Sequence, residues 1–233
     1  MKPAWKELLI AVNGAFLFLL ILLATEMALG QSAEVPERAR ILSVQTDGTG
    51  CEATQTAVSL SPDLMDLSVL FSNFNLELGA GTPDPNNILV NKNCQIRVEI
   101  ETPAGWALSV KSVDYRGYAH LPVGAIARHR FSYRTDGMQT VMLREAPLQG
   151  PLDQDYFFRL EQSAQERPFT PCGPPNIRLR LGSHMVLRYP LKEQRRNGAD
   201  RETAILSLDS ADVSLKQDFQ LEWKRCGRKA GLK

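Results

Sequence analysis

The segment from Asp114 to Tyr118 holds the densest set of side chains that could recognise a ligand. Residues two apart in a β-strand lie on the same face, so Asp114 and Arg116 are placed to form an ion pair. With Tyr115 and Tyr118 beside it, this pair predicts an aromatic and charged platform for a sugar or a peptide. The alternative is structural: the pair fixes a strand end, Gly117 permits a bulge, and the tyrosines pack against the core.

Signals for catalysis are weak. The sequence has no HExxH or GxSxG motif and only three histidines. His120 and His129 could meet across a hairpin as two ligands of a metal site, but exposed loop positions are the simpler interpretation. We therefore expect no catalytic residues, no metal and no cofactor, and the sequence favours a protein that is not an enzyme.

Carboxylates are also spaced in ways that fit known chemistry. Glu99 and Glu101 would lie about 7 Å apart on one strand face, within the range of glycosidase acid pairs. Alternation places them on the solvated face, where paired acids are ordinary. Asp84, Asn86 and Asn87 offer oxygen ligands for calcium without the spacing of a calcium loop, so a polar turn is the better interpretation.

The elements that carry these residues follow a two-residue period. Ile96, Val98 and Ile100 alternate with polar neighbours, and the same pattern recurs at roughly ten-residue spacing along the chain. Apolar runs on either side of the Ser61–Asp63 turn predict a hairpin. The pattern predicts an all-β fold, an antiparallel, jelly-roll-like β-sandwich. The charged segment 192–202 is most simply a long solvated hairpin loop, with a basic contact patch as the alternative.

The N-terminus has the pattern of a secretory signal peptide. Lys2 and Lys6 precede an apolar stretch over residues 8–24, and the small-x-small sequence of residues 28–30 follows. We expect a signal peptide over residues 1–30, in helical form. An uncleaved membrane anchor is the alternative, because the apolar stretch is near the lower limit for a spanning helix.

The rest of the chain predicts one β-sandwich domain over residues 31–226 and a disordered tail over residues 227–233. This length is enough to bury a good core. The net charge of +1 argues against general nucleic-acid binding.

The four cysteines follow the predicted signal peptide, which indicates disulfides in an oxidising compartment. Of the three possible pairings we favour Cys51–Cys94 and Cys172–Cys226, because each closes its loop within one half of the chain. Such loops stabilise by about 4 kcal/mol each in the chain-entropy model. Zinc is the competing interpretation, but the sequence has no Cys-x-x-Cys pair.

Several motifs together resemble one family. They are GTGC (48–51), VSLSPD (58–63), KNCQI (92–96), VDYRGYA (113–119), PCG (171–173) and LEWKRC (221–226). Their order and spacing resemble domain-of-unknown-function family 4360, a group of secreted proteins from fungi and bacteria, over about residues 45–226. The resemblance implies an exported, single-domain, all-β protein and no particular reaction. The segment 192–202 is longer than the family's usual turn.

These observations predict a secreted, non-catalytic domain that binds a glycan or a protein outside the cell or in the periplasm. The alternative is a secreted hydrolase acting on carbohydrate or another extracellular polymer. A third hypothesis, an envelope-anchored structural protein, holds only if the N-terminal segment is retained. We expect a monomer that binds an extracellular glycan or an envelope protein, does not bind nucleic acid, and contacts the membrane only through a retained segment.

Overall fold

The structure is a computed structural model that describes residues 34–144, 147–172, 175–195, 197–208 and 215–227. The signal peptide predicted over residues 1–30 lies outside the described residues, as does the predicted tail beyond Gly227. Within the part of the chain that the structure describes, no helix has the length and hydropathy needed to span a bilayer.

The described residues form antiparallel strands joined by turns and short 3-10 helices. The strands are β1 (Arg40–Asp47), β2 (Thr56–Leu60), β3 (Asp66–Phe71), β4 (Asn75–Leu78), β5 (Leu89–Glu101), β6 (Trp106–Leu121), β7 (Ile126–Thr135), β8 (Val141–Arg144), β9 (Leu148–Gln149), β10 (Leu152–Glu161), β11 (Asn176–Arg188), β12 (Ala204–Ser207) and β13 (Leu215–Arg225). The 3-10 helices are η1 (Ala53–Gln55), η2 (Leu191–Arg195) and η3 (Gly198–Asp200).

Two sheets pack face to face. The first sheet has the order β1-β5-β11-β7-β8, and β9 also pairs with β7. The second has the order β2-β3-β13-β6-β12-β4, and β10 pairs with the free side of β6. The predicted all-β, antiparallel sandwich is therefore confirmed.

Alternation along each strand decides which side chains enter the core. In β5, Cys94, Ile96, Val98 and Ile100 are buried, whereas Gln95 and the other residues between them face outward. Strands with one apolar face are stable when that face is buried against a second sheet. The outward residues of both sheets therefore remain available for contacts with other molecules.

The centre of the sandwich is an aromatic cluster around His129. This side chain is fully buried, and its ring lies 4.0 Å from that of Phe131 and 4.7 Å from that of Tyr115. Its Nε2 lies 2.6 Å from the Ser183 hydroxyl oxygen, to which Gln217 Nε2 also donates a hydrogen bond of 3.1 Å. Burial lowers the pKa of His129 well below its ordinary value, with a further contribution from His184. The core therefore holds a neutral imidazole.

The predicted hairpin around Ser61–Asp63 is present. Strands β2 and β3 pair with Leu60 opposite Leu67. The Asp63 carboxylate accepts a 2.5 Å hydrogen bond from the Ser61 hydroxyl and a 3.1 Å bond from the Met65 amide. These bonds stabilise the charged form and lower the pKa of Asp63.

Two disulfides join distant parts of the chain. Cys51–Cys94 ties the turn after β1 to β5, and Cys172–Cys226 ties the segment before β11 to the end of β13. Since β11 and β13 belong to different sheets, the second bond crosses between the sheets. These are the two pairs that the sequence favours.

The hairpin interpretation of segment 192–202 is wrong. Its flanking strands, β11 and β12, lie in different sheets, so the segment is a crossover. Nor is it wholly solvated: Arg201 is 2% exposed and donates a 2.7 Å hydrogen bond to the Asn87 carbonyl. The Gly198 amide donates to Asn86 Oδ1 at 3.2 Å. Asn86 and Asn87, considered as calcium ligands, therefore hold this crossover in place.

Candidate functional site

Strand β6 separates the predicted site residues into two groups. Asp114, Arg116 and Tyr118 face outward from the second sheet, as their even spacing requires. Tyr115 faces inward, is 1% exposed, and packs with its ring 4.6 Å from that of Phe131. Tyr115 is therefore a core residue, out of reach of a ligand on the surface.

Asp114 forms its ion pair with Arg159 of β10, and not with Arg116. The Arg159 guanidinium donates two hydrogen bonds, from Nε to Oδ1 at 2.7 Å and from Nη2 to Oδ2 at 2.5 Å. The two residues stand directly opposite each other on β6 and β10. The hydrogen bonds raise the pKa of Arg159 above its ordinary value. This two-point pair fixes the orientation of both side chains.

Arg116 therefore does not share the Asp114 carboxylate. It is exposed, and among the described residues it has no ion-pair or hydrogen-bond partner. Its cross-strand neighbour is Phe157 of β10, whose side chain is 59% exposed. An exposed aromatic ring therefore stands next to an arginine that forms no ion pair within the described ranges.

Tyr118 is held by a chain of polar contacts on the same face. Its hydroxyl donates a 2.5 Å hydrogen bond to Asp153, which also lies 3.5 Å from His120 Nδ1. The Nε2 of His120 in turn lies 3.4 Å from Glu202. The hydrogen bond raises the pKa of Tyr118, and it is the largest cause of a lowered pKa at Asp153. The Tyr118 ring is thus fixed relative to the sheet.

Gly117 has a role other than the bulge considered from the sequence. The β6–β10 register passes through Gly117 and Tyr156 without interruption. A Cβ on Gly117 would lie 2.0 Å from the Ser207 carbonyl oxygen and 2.5 Å from the Tyr156 hydroxyl. That hydroxyl donates a 2.8 Å hydrogen bond to Ser207. Glycine is therefore required because β6, β10 and β12 approach closely here.

Four outward residues on β6 and β10 define a surface that we name the platform. They are Arg116, Tyr118, Asp155 and Phe157. Tyr118 stands opposite Asp155, and Arg116 stands opposite Phe157, so the two rings occupy diagonal corners. Diagonal neighbours across a ladder lie about 7–8 Å apart, within reach of one ligand. The platform offers two aromatic surfaces, one cation and one carboxylate.

The contribution of β10 to this surface was not predicted from the sequence. Tyr156 is buried and Phe158 and Leu160 are half-buried, so the alternation along β10 places Phe157 and Arg159 outward. A phenylalanine on the polar face of a strand was the signal that could have identified it. The pairing of β10 with β6 is non-local and was not available from the pattern.

The other candidates are not brought together as a site. His120 faces outward on the second sheet, whereas His129 lies in the core, because β6 and β7 belong to different sheets and form no hairpin. Among the described residues, no group of three His, Cys, Asp or Glu side chains is placed to hold a metal ion. Glu99 lies 3.8 Å from Arg178, and Glu101 pairs with Arg40. These acids are engaged in ion pairs on the outer face of the first sheet.

This combination defines a class of protein: an antiparallel β-sandwich with two disulfides and a polar and aromatic sheet face. The chain belongs to the family described as "Domain of unknown function (DUF4360)", whose model matches residues 37–226. The resemblance seen in the motifs is confirmed. The match begins before those motifs and includes all of β1.

A curated relative supports the same assignment. The chain is 30% identical to an "Uncharacterized secreted protein" of Arthroderma benhamiae over 197 residues, which cover 84% of this chain and 76% of the relative. The secreted relative and the two disulfides point to an extracellular location.

Solved structures show only low similarity. The structure of TmCBM61 in complex with beta-1,4-galactotriose is 11% identical, covers 79% of this chain and 89% of that chain, and has a TM-score of 0.24. The structure of the infectious bursal disease virus Gx strain is 11% identical, covers 85% of this chain and 45% of that chain, and has a TM-score of 0.21. Identities and TM-scores this low give no information about the ligand or the function of this chain.

Proposed function

We propose that the protein is a secreted, non-catalytic glycan-binding domain, and that the platform on β6 and β10 receives the sugar. The observation that carries the proposal is the exposed Phe157 ring beside Arg116, a cation without a partner among the described residues. Burying this ring against a ligand would be favourable, and the cation is free to donate hydrogen bonds.

The chemistry of the platform matches that of a sugar. A pyranose ring has an apolar C–H face and a rim of hydroxyl groups. The Phe157 and Tyr118 rings can cover the apolar face, while Arg116 donates to hydroxyls and Asp155 accepts from them. Few, well-placed polar groups beside aromatic surface are typical of small-ligand sites.

The platform is also rigid before any ligand binds. Strands β6 and β10 pair continuously from Ser112–Glu161 to Leu121–Leu152. The Tyr118 hydroxyl is bonded to Asp153, and Asp114 is bonded to Arg159 at the adjoining position. Prior ordering lowers the entropy cost of binding, so even a flat surface can bind usefully.

The ion pairs and the exposure of the acidic side chains favour a binding function over a hydrolytic one. Glu99 and Glu101 are engaged by arginines on the other sheet. The contact between Asp153 and His120 lies on an exposed sheet face, where water is not excluded from a reacting bond. The platform instead presents a surface on which a sugar chain could lie along the strands.

An array of neutral and charged glycans tests the proposal. The exported chain should bind one class of glycan, and Phe157→Ala should abolish that binding. Leu70→Ala is the matched control, because Leu70 is also an exposed apolar residue on the outer face of the second sheet, on β3. Both variants should unfold at the temperature of the parent protein. Absence of binding to every glycan, or equal binding by Phe157→Ala, would overturn the proposal.

A further inference from the structure

Three arginines form a row across the outer face of the first sheet. Arg97 on β5 stands directly opposite Arg180 on β11, and Arg180 stands directly opposite Arg134 on β7. Neighbouring strands are about 4.8 Å apart, so the row spans about 10 Å. We name this set the arginine row. It lies on the sheet opposite to the one that carries the platform.

The neighbouring row shows how the same sheet neutralises its charges. Glu99 on β5, Arg178 on β11 and Asp136, which directly follows β7, alternate in sign, with Arg178 at 3.8 Å from Glu99 and 3.2 Å from Asp136. In the arginine row, Arg180 lies 3.9 Å from Asp136. Within the described ranges, the other two arginines have no ion pair at all.

The arginine row destabilises the folded protein when no anion is bound to it. Like charges directly opposite each other on a sheet destabilise it, and arginine does not lose its proton at physiological pH. The acid–base–acid row next to it shows that charges of opposite sign can be paired on this face of the sheet. An anion bound across the arginine row would supply the missing compensation.

A pocket of about 220 Å³ lies over the row and adds further hydrogen-bond donors. Gln95 and Ser132 stand on either side of Gly182, where a Cβ would lie 2.7 Å from Gln95 Nε2 and 2.3 Å from Ser132 Oγ. Neither side chain has a hydrogen-bond partner among the residues described. Asp47 also lines the pocket, next to Gln95. An amide and a hydroxyl therefore face the same space as the guanidinium groups.

We propose that the arginine row binds the carboxylates of an acidic extracellular polysaccharide, a polyuronate. The planar guanidinium fork matches the two oxygens of a carboxylate. Cations on successive strands suit a polymer that carries one anion on each successive sugar, and an exported protein meets such polymers. This site is separate from the platform and does not depend on the function proposed for it.

The test compares two variants of β11 that remove the same charge from the same face. Polygalacturonate is titrated into the exported chain at low and moderate salt. Arg180→Gln should weaken its binding about tenfold, as expected for the loss of one charge-assisted contact. Arg178→Gln should change it by less than about twofold, because Arg178 is already neutralised. Leu70→Ala, on the outer face of the second sheet and outside both proposed sites, should leave polygalacturonate binding unchanged.

Thermal unfolding separates binding from folding. Arg180→Gln should raise the melting temperature, because it relieves repulsion from Arg97 and Arg134, and Arg178→Gln should lower it.

Equal loss of binding in the two variants would indicate general charge attraction and overturn the proposal. Binding of dextran sulfate or of single-stranded DNA as tight as that of polygalacturonate would overturn the assignment to uronates.

Discussion

Phe157 lies directly opposite Arg116 across the β6–β10 ladder, so an exposed ring and an exposed cation lie side by side at one edge of the second sheet. Neither residue stabilises the fold in an evident way, because Arg116 lacks a partner in the described part of the chain and Phe157 leaves most of its surface in water. The neighbouring pair, Asp114 and Arg159, is fully bonded by contrast. The difference between the two pairs is the physical basis for assigning a ligand to the first.

The hydrogen bond between Tyr118 and Asp153 should be visible in the pKa of the carboxylate. Because the hydroxyl stabilises the charged form, Tyr118→Phe should raise the pKa of Asp153 toward its ordinary value. The rise should be partial, since His120 also lowers this pKa. NMR titration of the side-chain carboxyl measures it, with the lowered pKa of Asp63 as an internal control that should not move. An unchanged pKa of Asp153 would mean that the hydrogen bond from Tyr118 does not form in solution.

Gly117→Ala should destabilise the protein without altering any charge. The new methyl group would meet the Ser207 carbonyl and the Tyr156 hydroxyl, and overpacking of this kind costs about 1–3 kcal/mol. Urea unfolding measures the loss. Gly227→Ala is the control, because no atom lies within 4 Å of the position its Cβ would take. Equal stability of the two variants would contradict the close approach of β6, β10 and β12.

The second disulfide predicts a non-additive result. Cys172→Ser and Cys226→Ser should each cost about 4 kcal/mol, because the bond closes a loop with a sequence separation of 54. The double variant should cost little more than either single one, since the bond is lost only once. Urea unfolding of the three variants measures this. Costs that add up would exclude this pairing.

Stability should fall in mild acid because of His129. Its pKa is lowered in the folded state, so the unfolded chain binds more protons below about pH 6.5. The contribution of His129 to stability is therefore complete above that pH and is lost as the pH falls, by at most about 1.4 kcal/mol per pH unit for each proton. His184 contributes in the same direction, since its pKa is also lowered.

Urea unfolding of the parent and of His129→Gln between pH 5 and pH 8 tests this origin. Glutamine can still bond to Ser183 but does not titrate, so the variant should lose stability at every pH and show a shallower dependence. The remaining slope should include the contribution of His184, whose pKa is also lowered. A variant with the full slope of the parent would rule out His129 as the source.

Local pattern was enough to predict the sandwich. The two-residue period predicted the apolar face of each strand, and the Ser61–Asp63 turn predicted the β2–β3 hairpin. The alternation of side chains alone also places Tyr115 and Tyr118 on different faces, because residues three apart on a strand point to opposite sides of the sheet. Applying that rule strictly would have removed Tyr115 from the predicted platform.

Contacts between distant strands could not be predicted in this way. Asp114 and Arg116 are about 7 Å apart along β6, whereas a cross-strand neighbour is only about 5 Å away, so Arg159 is the better-placed partner. The position of Arg159 depends on the register of β10 against β6, which the sequence pattern of neither strand determines by itself. The same applies to segment 192–202, where the change of sheet between β11 and β12 decides that Arg201 is buried.

The most direct test of glycan binding is NMR mapping of an oligosaccharide that the array identifies. Amide shifts on titration should be concentrated around Arg116, Tyr118 and Phe157, and they should vanish in Phe157→Ala while persisting in Leu70→Ala. Shifts confined to other parts of the surface, or retained in Phe157→Ala, would contradict it.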